Sequence, residues 1–293
     1  MSPLSRSELI LNPDGSIYHL KLLPGDIAPL VITVGDMERV AQVSRYFDTI
    51  EMKKGNREFL THTGSLSGKR ISVISTGIGT DNIDIILGEL DALHNIDFTT
   101  RRTRAEKIQL SIVRIGTSGA LQPWIDVDSF VLGETAVGLD GLMHFYHSQG
   151  FRDDPLEKAI VAQLELHGKQ IHPYAVACDA GLAEAFRSDG ILSGTGVTSP
   201  GFYGPQGREL RLAPRLMDLE KLASFDFNGQ KLTHMEMETA GIYGLAKLLG
   251  HRAVSLNAIL ANRPKGEFSR QAARTVDALI QYALECLMAD QKV

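Results

Sequence analysis

Short apolar runs of strand length recur along this chain, at residues 29–34, 70–75, 109–115, 129–137, 171–178, 191–197 and 253–260. Helix-like stretches lie between or after them, at residues 37–46, 83–94, 155–168, 181–187, 239–249 and 270–290. This alternation restricts the fold more than any other feature. A strand that is apolar almost throughout needs cover on both faces, and intervening helices supply it. The pattern predicts an α/β protein with a mostly parallel or mixed sheet. Ligands of such folds gather at the carboxyl ends of the strands. That is where the unusual residues fall. Gly35-Asp-Met-Glu-Arg39 follows the first run, Thr76-Gly-Ile-Gly-Thr80 the second, and Arg114-Ile-Gly-Thr-Ser-Gly119 straddles the end of the third. Residues 199–208 follow the sixth run and Asn262-Arg263 the last.

Two of these groups are short glycine-bearing turns that enter helix-like stretches. Glycine lets backbone approach a ligand closely, and free N–H groups at a helix start suit an oxyanion. Neither spacing is that of a P-loop, and the Lys-Ser/Thr ending is missing, so a triphosphate site is not expected. Arg39 and Arg114 can supply permanently charged, forked donors to a phosphate, and Thr117 a hydroxyl and an N–H. Singly, each arginine reads more readily as half of a surface ion pair. Side by side at successive strand ends they favour an oxyanion pocket.

The segment Phe202-Tyr-Gly-Pro-Gln-Gly-Arg208 is a stiffened loop bearing an aromatic ring, an amide and a guanidinium. Phe202 can lie against a flat heterocycle, while Gln206 and Arg208 can read the edge of an imide-type base. A surface loop anchored by Phe202 is the plainer alternative. The stretch Thr233-His-Met-Glu-Met-Glu-Thr-Ala240 crowds two acids and two methionines at the start of a helix-like run. Glu236 and Glu238 can be there because acids favour a first helical turn, with methionine filling core gaps. A buried carboxylate also needs a partner, and a sugar diol is a suitable one.

The net charge of −5 offers no general attraction to nucleic acid or anionic lipid, so any bound anion must be met by a few local arginines. Cys178 and Cys286 are the two cysteines, both in apolar surroundings, which suggests a reducing compartment. The N-terminus lacks a signal-peptide core, and no segment reaches spanning length, so a cytoplasmic protein that does not enter membranes is expected. His144 and His147 have helical metal-ligand spacing without a third ligand, and read as an ordinary pair. The basic loop around Arg101, Arg102 and Arg104 reads as a solvated face. No Gly-x-Ser-x-Gly elbow or base-paired cysteine supports nucleophilic catalysis.

Taken in order, these blocks resemble the nucleoside phosphorylase family, within it most the uridine phosphorylases, from about His19 to the C-terminal helix. The matching text is Gly-Asp-Met-Glu-Arg at Gly35, Asn-Arg-Glu-Phe at Asn56, Ser-Thr-Gly-Ile-Gly at Ser75, Arg-Ile-Gly-Thr-Ser-Gly-Ala-Leu-Gln-Pro at Arg114, Phe-Tyr-Gly-Pro-Gln-Gly-Arg at Phe202, Met-Glu-Met-Glu-Thr-Ala at Met235, and Asn-Arg at Asn262. The resemblance implies a three-layer α/β/α sandwich with a central mixed, partly barrel-like sheet flanked by helices. It implies one domain over residues 1–293, with 1–18 as an N-terminal extension. It implies phosphorolysis of uridine or a related pyrimidine nucleoside, phosphate as co-substrate and no cofactor. A purine or broad-specificity phosphorylase is the alternative. A nucleosidase has no need of the Arg39 and Arg114 pair, and a non-catalytic nucleoside-binding protein is the non-enzyme reading.

Carried over by position, the resemblance implies a phosphate site of Gly35, Arg39, Arg114 and Thr117, joined by Arg57 from a neighbouring subunit. Met237 would wall the ribose, Glu238 would hold its 2′ and 3′ hydroxyls, and the neighbour's His19 would approach the 5′ hydroxyl. Ser118, Gly119, Phe202, Gln206 and Arg208 would meet the base, with Glu236 and Arg263 supporting the loop. Arg114, Gln206 and Arg208 would carry the chemistry. A subunit that borrows two residues implies a homo-oligomer built on dimers, either a dimer or a hexamer. The family's Gly-Gly-Pro-Ser is replaced here by Gly79-Thr-Asp-Asn82, which bears on the inter-subunit monovalent-cation site that some relatives build with the position of Glu58. Gly-Pro-Gln-Gly-Arg likewise stands where close relatives have Pro-Gly-Gln-Glu-Arg.

Overall fold

Burial on both faces turns the apolar runs into strands. In the computed structural model, which describes residues 2–290, every residue of β1 (Leu30–Val34) is buried. Met1, the first residue of the expected extension, and residues 291–293 lie outside the described part. The strands that follow are β2 (Thr49–Asn56), β3 (Phe59–Leu66), β4 (Lys69–Ser75), a separate ribbon of β5 (Ile96–Asp97) and β6 (Arg102–Thr103), β7 (Ser111–Ala120), β8 (Phe130–Gly138), β9 (Tyr174–Ala177), β10 (Leu192–Thr198), β11 (Asp226–Phe227), β12 (Gln230–Glu236), β13 (Arg252–Asn262) and β14 (Glu267–Phe268). The helices are α1 (Met37–Ser44), α2 (Thr80–Asn95), α3 (Asp154–Gln163), α4 (Ala180–Glu184), α5 (Leu219–Ala223), α6 (Thr239–Leu249) and α7 (Ala272–Ala289).

All strands but the ribbon join one twelve-stranded mixed sheet. β1 runs parallel between β4 and β7, and β13 lies parallel on the other side of β7. β13 then pairs antiparallel with β8, and β8, β10 and β12 are parallel to one another. β12 returns to β7, pairing His234 with Ala120 and Met235 with Gly119. That last pairing closes a ring of β7, β13, β8, β10 and β12. Strands β1 through β4 continue outward from β7 as an open sheet flanked by helices, while β9, β11 and β14 pair with β8, β12 and β13. The fold is thus the expected α/β type with a mixed, partly barrel-like sheet.

Three departures from the sequence pattern have clear causes. The hairpin of β2 and β3 has no apolar run to announce it, because β2 (TIEMKKGN) opens on three exposed residues and then alternates half-buried with exposed ones. Residues 230–236, read as the approach to a helix, form β12, whose last five residues are all buried. β7 extends to Ala120, so Arg114 stands in mid-strand with its side chain among buried groups.

The N-terminal segment and the loop at Arg101 explain each other. Leu9, Ile17, Leu20, Leu22 and Ile27 are buried in the main core. Arg101 donates through Nε to the Leu4 carbonyl at 2.8 Å and through Nη2 to the Ser5 carbonyl at 2.6 Å. The loop is therefore not wholly a solvated face: Arg101 pins the extension, while Arg102 and Arg104 are exposed. His144 sits in a short 3-10 turn, exposed, with Nε2 against the His172 carbonyl at 2.8 Å. No group of residues able to hold a metal ion is found among the described residues. Nor is any described helix long and apolar enough to cross a membrane.

Candidate active site

The ring of strands and the start of α2 open on a cavity of about 860 Å³. Its wall takes Gly35 and Arg39 from the end of β1 and the start of α1, and Gly77 and Ile78 from the turn after β4. Arg114, Thr117, Ser118 and Gly119 come from β7, Phe202, Gln206 and Arg208 from the loop after β10, and Glu236, Met237 and Glu238 from the end of β12. The Thr76–Thr80 turn needs its glycines, since Gly77 and Gly79 have φ of 70° and 99°, in the left-handed region.

Arg114 is the centre of the buried charge. Its Nη2 donates to Glu238 Oε2 at 2.6 Å and lies 3.3 Å from Glu236 Oε2. Its Nη1 donates to Asn257 Oδ1 at 2.8 Å and Ser255 Oγ at 3.3 Å. Gly116 makes the room, because a Cβ there would lie 1.9 Å from Nη1. Burial disfavours the Arg114 charge, but Glu236 and Glu238 more than offset it and raise its pKa.

The two acids differ in role. Glu236 Oε2 accepts from the backbone N–H groups of Glu238 and Thr239, both at 2.8 Å, and so caps α6; Oε1 accepts from the Thr198 hydroxyl. Burial works against its charge, yet Arg114 and these donors hold its pKa below the usual value. Glu238 Oε1 accepts from the Gly79 N–H at 2.9 Å, so this carboxylate ties the start of α2 to that of α6. Burial, joined by the Glu236 charge, lifts its pKa despite Arg114.

Arg39 is left short of acid. Its Nη1 reaches the Ile115 carbonyl at 3.4 Å, and it forms no ion pair among the described residues. Burial first and then Arg114 lower its pKa. Two guanidiniums, with the N-termini of α1, α2 and α6 nearby, make this side of the cavity receptive to an anion.

The loop after β10 is braced internally. Arg208 lies 3.7 Å from the Phe202 ring centroid and donates through Nη1 to the Phe202 carbonyl at 2.7 Å and to Gln206 Oε1. With its oxygen taken, the buried Gln206 offers its NH₂ to the cavity, beside the remaining Arg208 donors. Arg263, whose stem lies over Gly119, donates to the Gln206 carbonyl at 3.0 Å and so supports the loop, although it does not line the cavity. Burial, with Arg263 adding, lowers the Arg208 pKa to about 10, well above neutrality.

His19 and Arg57 are brought together elsewhere, outside the cavity wall. Asn56 Nδ2 donates to the His19 carbonyl at 2.7 Å, and Arg57 stands over the Tyr18 ring at 5.8 Å. His19 Nδ1 lies 2.6 Å from Glu89 Oε1. Arg57 is exposed at a hairpin turn with φ of 54°. Glu58 and Asn82 both stand against Gly77. Sequence reading missed Ser255 and Asn257, the Arg114 partners on β13. Their signal was two polar residues at alternate positions of an apolar run, hence on one face of a buried strand.

The chain matches the Phosphorylase superfamily over residues 29–287. It is 31% identical over 282 residues to a uridine phosphorylase of Thermococcus kodakarensis, covering 94% of this chain and 87% of that one. A DeoD-type purine nucleoside phosphorylase of Myxococcus xanthus is 27% identical over 281 residues, covering 93% of this chain and 97% of that one. Among solved structures, a Trypanosoma brucei nucleoside phosphorylase described as showing uridine phosphorylase activity superposes with a TM-score of 0.85 at 25% identity, covering 96% of this chain and all of the other. The chain belongs to this superfamily, as a nucleoside phosphorylase, a pentosyltransferase most like the uridine phosphorylases.

Proposed function

We propose that this member of the superfamily catalyses the reversible phosphorolysis of uridine to uracil and α-D-ribose 1-phosphate, in the cytoplasm and without a cofactor. The observation that carries the reading is the Arg39 and Arg114 pair, in which Arg39 forms no ion pair among the described residues, on the face of a cavity that also holds Glu238. Arg114 is matched by Glu238 and Glu236, but a buried Arg39 beside it with no ion pair of its own calls for a bound anion, which water as nucleophile would not supply.

On this reading phosphate lies against Gly35, Arg39, Arg114 and Thr117, and attacks C1′ of the nucleoside. The ribose diol is received by Glu238 beside Met237. Bond breaking puts negative charge on the departing uracil, spread over N1, O2 and O4. The donors of Gln206 and Arg208 meet that charge where it develops. A base anion so stabilised leaves without a protein general acid. The pairing of Gln206 Oε1 with Arg208 supports a pyrimidine carbonyl as the group read, since it leaves donors together at one edge. Ser118 and Gly119 form the floor beneath the base, and Phe202 its aromatic wall.

The partner subunit's His19 and the partner subunit's Arg57 complete the ribose and phosphate ends. Their clustering with Asn56 and Glu89, away from the chain's own cavity, supports an assembly built on dimers. One assay tests the function: base release from a panel of pyrimidine and purine nucleosides, with and without phosphate. Uracil released from uridine in a phosphate-dependent manner is expected. Release without phosphate would favour hydrolysis, and a preference for inosine or adenosine would favour the purine reading.

A further inference from the structure

Behind Arg114 a line of buried polar groups leads away from the cavity and ends on backbone. Asn257 Oδ1 accepts from Arg114 Nη1 at 2.8 Å. Asn257 Nδ2 lies 3.2 Å from Ser255 Oγ and 3.5 Å from His234 Nε2. His234 Nδ1 lies 2.9 Å from Thr233 Oγ1, which donates to the Thr195 carbonyl at 3.1 Å. His234, Asn257 and Ser255 are fully buried.

The ends of this line fix its sense. A guanidinium only donates, so Asn257 must turn its carbonyl to Arg114 and its NH₂ to the ring. A carbonyl only accepts, so the Thr233 hydroxyl spends its proton on Thr195 and takes one from His234 Nδ1–H. The imidazole is therefore neutral, with its Nε2 lone pair toward Asn257. Reversing any member sets donor against donor in a buried place. The sheet leaves space for the ring: a Cβ on Gly196 would lie 2.7 Å from His234 Nε2.

We propose that His234 and Asn257 are positioning residues for Arg114, His234 fixing the Asn257 amide and Asn257 holding one arm of the guanidinium while Glu238 holds the other. The inference rests on the phosphorolysis reading, in which Arg114 faces phosphate. The charged groups acting on the ring are Glu236 on its own strand and Arg114 on β7; α6 brings the phenol of Tyr243, β13 the neutral Asn257, and β8 and β10 present Gly133 and Gly196. Burial, opposed by Glu236 and aided by Arg114, lowers the ring's pKa to about 4, in keeping with a neutral acceptor.

Steady-state kinetics with both substrates varied tests the proposal. Asn257→Ala is expected to raise the phosphate KM about tenfold, the worth of one hydrogen bond to a charged group, with the nucleoside KM within about twofold. His234→Leu should raise the phosphate KM about threefold, while His234→Gln, which keeps an uncharged acceptor, should recover most of that loss. The double variant Asn257→Ala/His234→Leu should be no worse than Asn257→Ala, because the two act in series. Equal rises in both KM values, an unchanged phosphate KM, or a multiplicative double variant would overturn it. If Asn257→Ala does not fold, the two His234 variants decide: equal phosphate KM values sink the proposal. Wild-type enzyme that cleaves no nucleoside in a phosphate-dependent way would overturn the parent reading, and this one with it.

Discussion

Arg114 and Glu238 form a buried ion pair, with Nη2 to Oε2 at 2.6 Å, although one faces the proposed phosphate and the other the proposed ribose. The pair links the two half-sites. Glu238→Ala removes the proposed diol acceptor but leaves Arg114 with Glu236, Ser255 and Asn257. We expect kcat/KM for the nucleoside to fall about 10- to 100-fold, the worth of one or two charge-assisted hydrogen bonds. The phosphate KM should stay level or fall, since Arg114 is freed from a competing acid. Initial-rate measurements with each substrate varied would check this, and a rise confined to the phosphate KM would refute it.

Gly116 is needed for space rather than for backbone freedom. Its position two residues after Arg114 puts it on the same face of β7, and a Cβ would sit 1.9 Å from Nη1. Gly116→Ala must displace the guanidinium or the strand, an overpacking that costs about 1–3 kcal/mol. The expected result is a folded protein of lower melting temperature with at least a tenfold weaker response to phosphate, a loss of about 1.4 kcal/mol. Thermal unfolding and a phosphate titration of the rate would read both effects.

What could be seen beforehand follows from how each group earns its place. The Gly35 and Thr76 turns and the loop at Phe202 stand out because their glycines, prolines and arginines have no use in an apolar core. The β2–β3 hairpin stayed hidden because an exposed, mostly polar strand has the composition of a loop. β12 stayed hidden because its buried end carries His234 and Glu236, whose cost is offset by partners distant in sequence: Asn257, Arg114 and Thr198. Asn257 is the same case, since a polar residue in a core strand has no visible reason until its partner on the neighbouring strand is known.

In the proposed phosphorolysis of uridine, Arg208 acts on the leaving base. Truncating it to alanine removes a charged donor that gains strength only as charge builds on the uracil. Losses of this kind cost about 10²–10³ in rate. Arg208→Ala should lower kcat for uridine by that order and leave the phosphate KM within about twofold, because Arg39 and Arg114 are untouched. An unchanged kcat would end the leaving-group role.

Buried neutral imidazoles make the fold sensitive to acid. His234 has its pKa lowered from 6.5 to about 4 by burial. As pH falls below 6.5 the unfolded chain takes up the proton first, so stability is full above that value and is lost progressively toward pH 4. This group alone contributes a loss on the order of 3 kcal/mol. His62 and His94 are lowered by burial as well and add in the same direction. Urea unfolding between pH 7 and 4 should show the decline, and His234→Leu should make it shallower. A slope identical in wild type and variant would contradict the assignment.

Subunit exchange can separate a borrowed Arg57 from one that serves its own chain. Arg57 is exposed at the β2–β3 turn, outside the cavity wall that Arg114 shares. Arg57→Ala and Arg114→Ala should each be nearly inactive as homo-oligomers. In a mixed dimer the subunit carrying Arg57→Ala keeps its own Arg114 and receives an intact Arg57 from its partner, so one of its two sites is whole. The other site lacks both. Random reassortment of equal amounts makes about half the dimers mixed, so about a quarter of all sites should work. Unfolding and refolding the two variants together, then assaying uridine phosphorolysis, would read this recovery. If Arg57 instead serves its own subunit, no mixture contains an intact site, and the refolded pair stays as inactive as either parent.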